Sequence, residues 1–140
     1  LEESRAIGRM GTITVVLSPF VPKPGTPLQW APMAPEPELR LREKKIAAGV
    51  KSIHNLRIDP EAPSSAILQC FLGLSDRRAE QALRHARKGR LKLSPDNLAV
   101  PLSEVVHREK GADEYFPWDV VEGGLPKKVL RARYEAIIHG

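Results

Sequence analysis

The pattern of apolar and polar residues predicts one strand near the start of the chain. Residues 12–17 read TITVVL, and the β-branched residues in this run favour a strand. Apolar side chains occupy both odd and even positions, so both faces of the strand are apolar, as is typical of a strand buried in a parallel sheet. Residues 3–10 are expected to end a helix that begins upstream, with Gly11 as its stop.

A proline-rich segment, residues 18–33, follows this strand. Proline fixes φ and lacks an N–H, so the segment can form neither a helix nor an inner strand; its prolines are Pro19, Pro22, Pro24, Pro27 and Pro32. A flexible linker has few side chains to bury, whereas this segment carries Phe20, Val21, Leu28 and Trp30. We therefore predict an ordered, extended loop that packs against the rest of the domain.

A helix and a second strand are predicted next. Residues 35–48 favour a helix, because acidic residues lie near its start and lysines near its end, and Gly49 is placed to terminate it. Val50, Leu56 and Ile58 share one face of a strand over residues 50–58, which the Asp59-Pro60 pair ends. Strand, helix and strand in this order predict a right-handed βαβ unit.

The remainder of the chain has the spacing of helices. Helices are predicted over residues 65–73, 75–89 and 101–109 and from Pro126 onward. Two of them have apolar stripes, formed by Ala79, Ala82, Leu83 and Ala86 and by Leu130, Tyr134, Ile137 and Ile138. An apolar strand such as 12–17 needs neighbours on both edges, so it either pairs with a second copy or belongs to a larger sheet of which this chain is a piece.

Composition narrows the classes of function. The chain has 140 residues and a net charge of +5, which permits nucleic-acid binding without requiring it. Its single cysteine, Cys70, lies in an apolar run and is expected to be an inert, packed thiol. No stretch approaches the ~20 apolar residues of a membrane span, and no secretory leader is evident. These observations predict a cytoplasmic protein.

The residue types that carry chemistry form few recognisable patterns. The dinucleotide, P-loop, zinc-protease and paired-cysteine motifs are all missing from the sequence. The histidines lie far apart, so no metal ligands and no catalytic residues are assigned. Asp76, Arg77 and Arg78 cluster at a helix start; Arg77 and Arg78 form either an anion clamp or a solvated pair beside a capping acid. Residues 114–124, EYFPWDVVEGG, form either an aromatic anchor or a substrate-gripping loop.

Three segments resemble one enzyme family. SPFVPKPGTPLQW, residues 18–30, resembles the segment after the last barrel strand of radical S-adenosylmethionine (radical SAM) enzymes, and most closely the subgroup with a cobalamin-binding domain. SDRRAEQAL, residues 75–83, resembles that subgroup's GDRR helix start, with Ser75 in place of glycine. FPWDVVEGGLPKKVL, residues 116–130, resembles its PWD-containing tail. The three matches occur in the family's order along nearly the whole chain.

The resemblance implies a piece of a larger enzyme. The family holds a [4Fe-4S] cluster with a C-x3-C-x2-C motif, and the cluster cleaves S-adenosylmethionine to a radical; part of the subgroup also uses cobalamin. One cysteine cannot supply three thiolates, so we expect this fragment to bind none of these cofactors itself. The implied fold is α/β or α+β and helix-rich. Residues 12–33 would be the last strand of a partial α/β barrel with its loop, and residues 35–140 a helical extension with one further strand.

The resemblance also assigns candidate site residues. Active sites of α/β barrels lie at the carboxyl ends of the strands, so the proline-rich loop is expected to form a wall of the substrate cavity. The residues expected to line it are Phe20, Lys23, Thr26, Gln29 and Trp30. The alternative interpretation is a stiff structural bracket.

Two other classes of function stay open. A basic RNA-binding module is suggested by the net charge and the arginine-rich segment 77–90, although aromatic residues, the usual stacking platforms, are only 5% of the chain. A structural domain that dimerises through strand 12–17 is the other. The expected partners are accordingly the rest of a parent polypeptide, a second copy or RNA, and no membrane.

Overall fold

A computed structural model describes residues 11–85 and 91–140 of the chain. Two strands and five α-helices form the described part: β1 Ile13–Leu17, α1 Glu36–Val50, β2 Leu56–Pro60, α2 Pro63–Leu74, α3 Glu80–Arg84, α4 Leu102–Val105 and α5 Lys127–His139. Short 3-10 helices occupy Pro27–Trp30, Arg77–Ala79, Pro95–Asn97 and Pro117–Val120. The predicted α/β or α+β class, rich in helix, is confirmed. The helix predicted over residues 3–10 and the end of the one predicted over 75–89 lie outside the described residues.

The two strands are parallel and are connected through α1. Ile13 pairs with Leu56 and Leu17 with Pro60, and the ladder continues one step further through the Glu61 N–H, which donates to the Leu17 carbonyl at 2.9 Å. The predicted second strand began too early, because α1 continues through Gly49 to Val50. The turn that follows includes Asn55 with φ of 59°, a left-handed conformation that asparagine adopts more readily than most residues.

The burial predicted for β1 is wrong. Val16 is 67% exposed, and Ile13 and Val15 are also exposed, although the strand is apolar on both faces. The physical reason is that β2 is the only strand paired with β1 among the described residues. A two-stranded sheet offers neither the second neighbour nor the covering layers that normally bury a parallel strand.

The larger core forms around α2. Its buried residues recur at helical spacing and face one side; they are Pro63, Ala66, Ile67, Cys70, Phe71 and Leu74. Met33, Ala82 and Val106 complete this cluster from three other parts of the chain. The helix predicted to start at residue 75 begins instead with the 3-10 turn Arg77–Ala79, and α3 starts at Glu80. Ala82 is buried while Leu83 faces solvent.

A second, aromatic cluster joins the proline-rich segment to the C-terminal helix. Trp30 packs edge-on against Phe116, with ring centroids 5.7 Å apart, and lies 5.9 Å from the ring of Tyr134. Leu130 completes the cluster. Ile137 and Ile138 were predicted to be buried beside Tyr134 but are exposed. The helix α5 packs on the Pro27–Trp30 turn, and its buried residues are Leu130 and Tyr134.

The proline-rich segment is ordered and packed as predicted. Trp30 and Pro22 are fully buried, and the backbone is tied down at two points. The Met33 N–H donates to the Val106 carbonyl, and the Lys110 N–H donates to the Trp30 carbonyl, each at 2.9 Å. One 3-10 turn, with Pro27 in its first turn, stands where an extended chain was predicted.

Candidate functional site

A groove opens at the carboxyl ends of β1 and β2. This strand-end groove has a volume of about 180 Å³ and is lined on one side by Leu17, Phe20 and Pro60 and on the other by Leu39 and Ile46 of α1. Phe20 is 47% exposed at its edge. Ligands of open parallel sheets and of α/β barrels bind at this end of the strands. Phe20 therefore lies at the carboxyl end of β1, on the edge of this groove.

The other predicted cavity residues lie elsewhere. Lys23 is exposed, and Thr26 Oγ1 donates to the Lys23 carbonyl at 2.8 Å, which stabilises the turn between them. Trp30 belongs to the buried aromatic cluster. Gln29 is buried and lines a separate hollow of about 380 Å³ between the proline-rich segment and the start of α5. The structure does not bring these residues and Phe20 into one cavity.

Gln29 clamps the proline-rich segment to the loop that precedes α5. Its Oε1 atom accepts a hydrogen bond from Trp118 Nε1 at 2.7 Å and another from the Gly25 N–H at 3.0 Å. Phe116 stacks on Trp118 with ring centroids 4.7 Å apart, and Lys127 lies over the Phe116 ring at 4.4 Å. Both acceptor positions of the Gln29 amide oxygen are therefore occupied by groups of the described chain.

Asp76 and Arg78 neutralise each other at the SDRR turn. Asp76 Oδ1 accepts from the Arg78 backbone N–H at 2.8 Å, and both carboxylate oxygens accept from Arg78 Nε. The hydrogen bond from the Arg78 side chain lowers the pKa of Asp76 below its ordinary value. Arg77 is exposed on the same turn. The two arginines therefore do not converge as an empty clamp: Arg78 is held by the capping acid.

A further cavity lies behind this turn. This central cavity has a volume of about 330 Å³. The SDRR turn, residues 75–78, and the side chains of Phe116 and Trp118 both line it. Arg108 and Glu114 form a second closed ion pair in its wall, with nitrogen-to-oxygen distances of 2.7 and 2.5 Å. Lys110 also lines the central cavity. Its burial was not predicted, because nothing in the surrounding residues, REKGAD, indicates that a lysine is buried there.

Cys70 has the properties of a packed thiol. The side chain is fully buried in the larger core, and this burial raises its pKa from 9.0 to about 11. A thiol of this kind is a poor nucleophile and a poor metal ligand near neutral pH. Within residues 11–85 and 91–140, no group of three or more His, Cys, Asp or Glu side chains is arranged to hold a metal ion. No helix in the same residues is long and apolar enough to cross a bilayer.

No protein-family model matches the chain, and neither a curated protein nor a solved structure matches it significantly. The function must therefore be argued from the contacts described above and from the resemblance of the three segments.

Proposed function

We propose that this chain is the C-terminal portion of a radical SAM enzyme and that it supplies part of the wall of the substrate cavity. The observation that carries the proposal is the exposure of the β1–β2 pair. Parallel strands occur almost only in sheets that are covered on both faces, yet Ile13, Val15 and Val16 present apolar side chains to solvent. Further strands and helices supplied by the rest of the parent polypeptide would bury them.

The strand-end groove supports the same proposal. In an α/β barrel the substrate lies at the carboxyl ends of the strands, which is the position of Phe20 and the groove beside it. The proline-rich segment is held in place by the buried Trp30 and by the Gln29 clamp. A wall that is already rigid costs little entropy on substrate binding and helps to exclude water from a reactive radical.

The chain's own residues do not fit the cofactors of the family. A radical SAM cluster needs three thiolates, and the single thiol here is buried and has a raised pKa. The [4Fe-4S] cluster, the S-adenosylmethionine and any cobalamin would therefore be held by the rest of the parent enzyme, in the cytoplasm. This chain contributes shape and stability to the cavity, and its residues carry no catalytic step.

The two alternatives have weaker support. RNA binding needs a surface of uncompensated positive charge, but many described arginines lie in ion pairs, among them Arg40 with Glu36, Arg84 with Glu80 and Arg131 with Glu135. Dimerisation through β1 would cover one edge of the sheet. It would not by itself explain why the groove lies at the carboxyl ends of the strands.

The experiment compares this chain with the longer protein encoded by the complete reading frame. We expect a C-x3-C-x2-C motif roughly 150 to 250 residues upstream of residue 1, the scale of a barrel domain. The longer protein, reconstituted without oxygen, should bind iron and sulfide and cleave S-adenosylmethionine when dithionite supplies the electron, whereas residues 1–140 alone should bind no cluster. A reading frame that begins at or near residue 1, or stoichiometric cluster binding by the short chain, would contradict the proposal.

A matched pair of variants in the longer protein tests the groove. Phe20→Ala should increase the 5′-deoxyadenosine formed without substrate, because solutes with weak C–H or S–H bonds, such as thiols, reach the radical more easily and donate a hydrogen atom to it. Leu72→Ala, which shortens an exposed side chain on α2 away from the groove, should leave this reaction unchanged. Equal effects of the two variants would remove Phe20 from the cavity wall.

A further inference from the structure

The central cavity contains a lysine whose charge has no partner. Lys110 is only 5% exposed, and its Nζ atom is inaccessible to solvent and makes no hydrogen bond within the described residues. Its backbone N–H is bonded to the Trp30 carbonyl, which fixes the residue at the cavity wall. A buried ammonium without a counter-ion is unfavourable, so its retention here needs an explanation.

The carboxylates around the cavity do not serve as that counter-ion. Asp76 is occupied by Arg78. Glu114 accepts two bonds from Arg108 and a third from the Gly111 N–H at 3.1 Å. Glu104 is exposed to solvent. Lys110 is therefore the one buried cation of the described cavity wall whose charge is not compensated.

A second polar atom in the same wall lacks a partner. The Oγ atom of Ser75 is buried and makes no hydrogen bond within the described residues. A hydroxyl and an ammonium both donate hydrogen bonds, and both are satisfied by the oxygens of one anion. The side chains of Tyr115, Phe116 and Trp118 line the same cavity. Its wall thus combines two unpartnered donors with flat aromatic surfaces.

We infer that the central cavity binds a small organic molecule through an oxyanion group, a carboxylate or a phosphate, which pairs with Lys110 and accepts a hydrogen bond from Ser75. The cavity volume of about 330 Å³ is at the lower end of the range for small-molecule sites, roughly 300–1,000 Å³. The aromatic side chains contact the body of the molecule. This inference does not depend on the radical SAM assignment.

The pKa of Lys110 depends on its charged surroundings, so it reports whether an anion occupies the site. Burial lowers the pKa of Lys110, and Arg108 lowers it further, while Cys70 of α2 and Glu114 act in the opposite direction. The other charged groups of the wall are Asp76, Arg78 and Glu104. A bound anion adds a negative charge next to the ammonium, so binding must move the pKa of Lys110 upward.

The experiment uses the full chain and three probes of similar shape. Benzoate and phenyl phosphate present the two kinds of oxyanion, and benzamide is the neutral control. Titration calorimetry measures binding, and the ¹³Cε resonance of Lys110 measures its pKa with and without each probe. We expect at least one oxyanion to bind about tenfold or more tightly than benzamide and to raise the pKa of Lys110. The preferred probe identifies a carboxylate or a phosphate site.

Variants assign the binding to the cavity. Lys110→Met keeps the length of the side chain, removes the charge and should weaken oxyanion binding about tenfold or more, whereas Lys128→Met, on the exposed face of α5, should not. Ser75→Ala is a milder change that keeps the cavity folded and should weaken binding several-fold. Oxyanion binding that survives Lys110→Met and Ser75→Ala unchanged, or no binding of either oxyanion to the parent chain, overturns the inference.

Discussion

Trp118 donates its indole N–H to Gln29 across 89 residues of sequence, at a distance of 2.7 Å. The same amide oxygen accepts the Gly25 N–H, so one side chain joins the proline-rich segment to the loop before α5. Gln29 is fully buried, and a buried polar group of this kind is stabilising only while all of its partners are present.

Replacement of Gln29 by leucine should therefore destabilise the fold. Gln29→Leu leaves the Trp118 and Gly25 donors without an acceptor and should lower the free energy of unfolding by about 2 to 4 kcal/mol, as measured by urea denaturation. Gln69→Leu, the same change at an exposed position of α2, should alter stability by less than about 0.5 kcal/mol. The clamp would be disproved if both variants unfolded at the same urea concentration.

Cys70 should make stability depend on pH in the alkaline range. The thiol ionises at 9.0 in the unfolded chain and at about 11 in the folded one. The neutral thiol therefore stabilises the fold fully below pH 9, and this contribution is lost as the pH rises from 9 to 11, about 3 kcal/mol in all. Cys70→Ala should lack this part of the alkaline decline; parallel curves for the two proteins would exclude it.

The Arg108–Glu114 pair should contribute on the acid side. The side-chain hydrogen bond from Arg108 lowers the pKa of Glu114. The pair therefore stabilises the fold at pH values above 4.5, the pKa of the Glu114 carboxyl group in the unfolded chain. This stabilisation is lost as the pH falls through the lower pKa that the group has in the folded chain. Glu114→Gln should flatten the acid limb of the stability curve. Glu122→Gln, at an exposed position, should leave that limb in place; the same flattening in both variants would argue against a specific pair.

The exposed sheet should cause the isolated chain to self-associate. Val16→Lys places a charge on the exposed face of β1 and should reduce association measured by sedimentation between micromolar and millimolar concentration. Val120→Lys changes a valine of the same exposure, 70% against 67%, outside the sheet and should not. A parent chain that stays monomeric over this range, with the β1 amides protected from exchange, would mean that a partner for β1 lies within the chain.

Local patterns predicted much of the fold. The β-branched run became β1, the helix predicted from its acidic start at residue 35 became α1, and the helix predicted over residues 65–73 became α2. These predictions succeeded because short-range periodicity and capping chemistry act within a few residues. The predicted helix end at Gly49 and the predicted burial of Ile137 were wrong, because packing partners decide where a helix ends and which of its turns is buried.

The candidate site was harder to predict. Phe20 lies beside the strand-end groove because it follows β1 directly, so its position is a local consequence of the sequence. Lys110 and Ser75 line one cavity only through the tertiary structure, since 35 residues separate them along the chain. The apolar pattern of β1 also led to a wrong prediction of burial. The pattern shows that both faces of the strand favour burial, but it does not show whether other elements cover them.

The amino-acid sequence by itself determined most of the helices and strands of this protein, its proline-stiffened segment and its single thiol. Those properties follow from backbone restrictions and side-chain chemistry that act over short distances. Only the tertiary structure decided that Gln29 clamps Trp118 and that Lys110 is buried with no hydrogen-bond partner among the described residues. Such contacts depend on how distant elements pack, because burial and charge compensation are properties of the assembled cavity and not of any one segment.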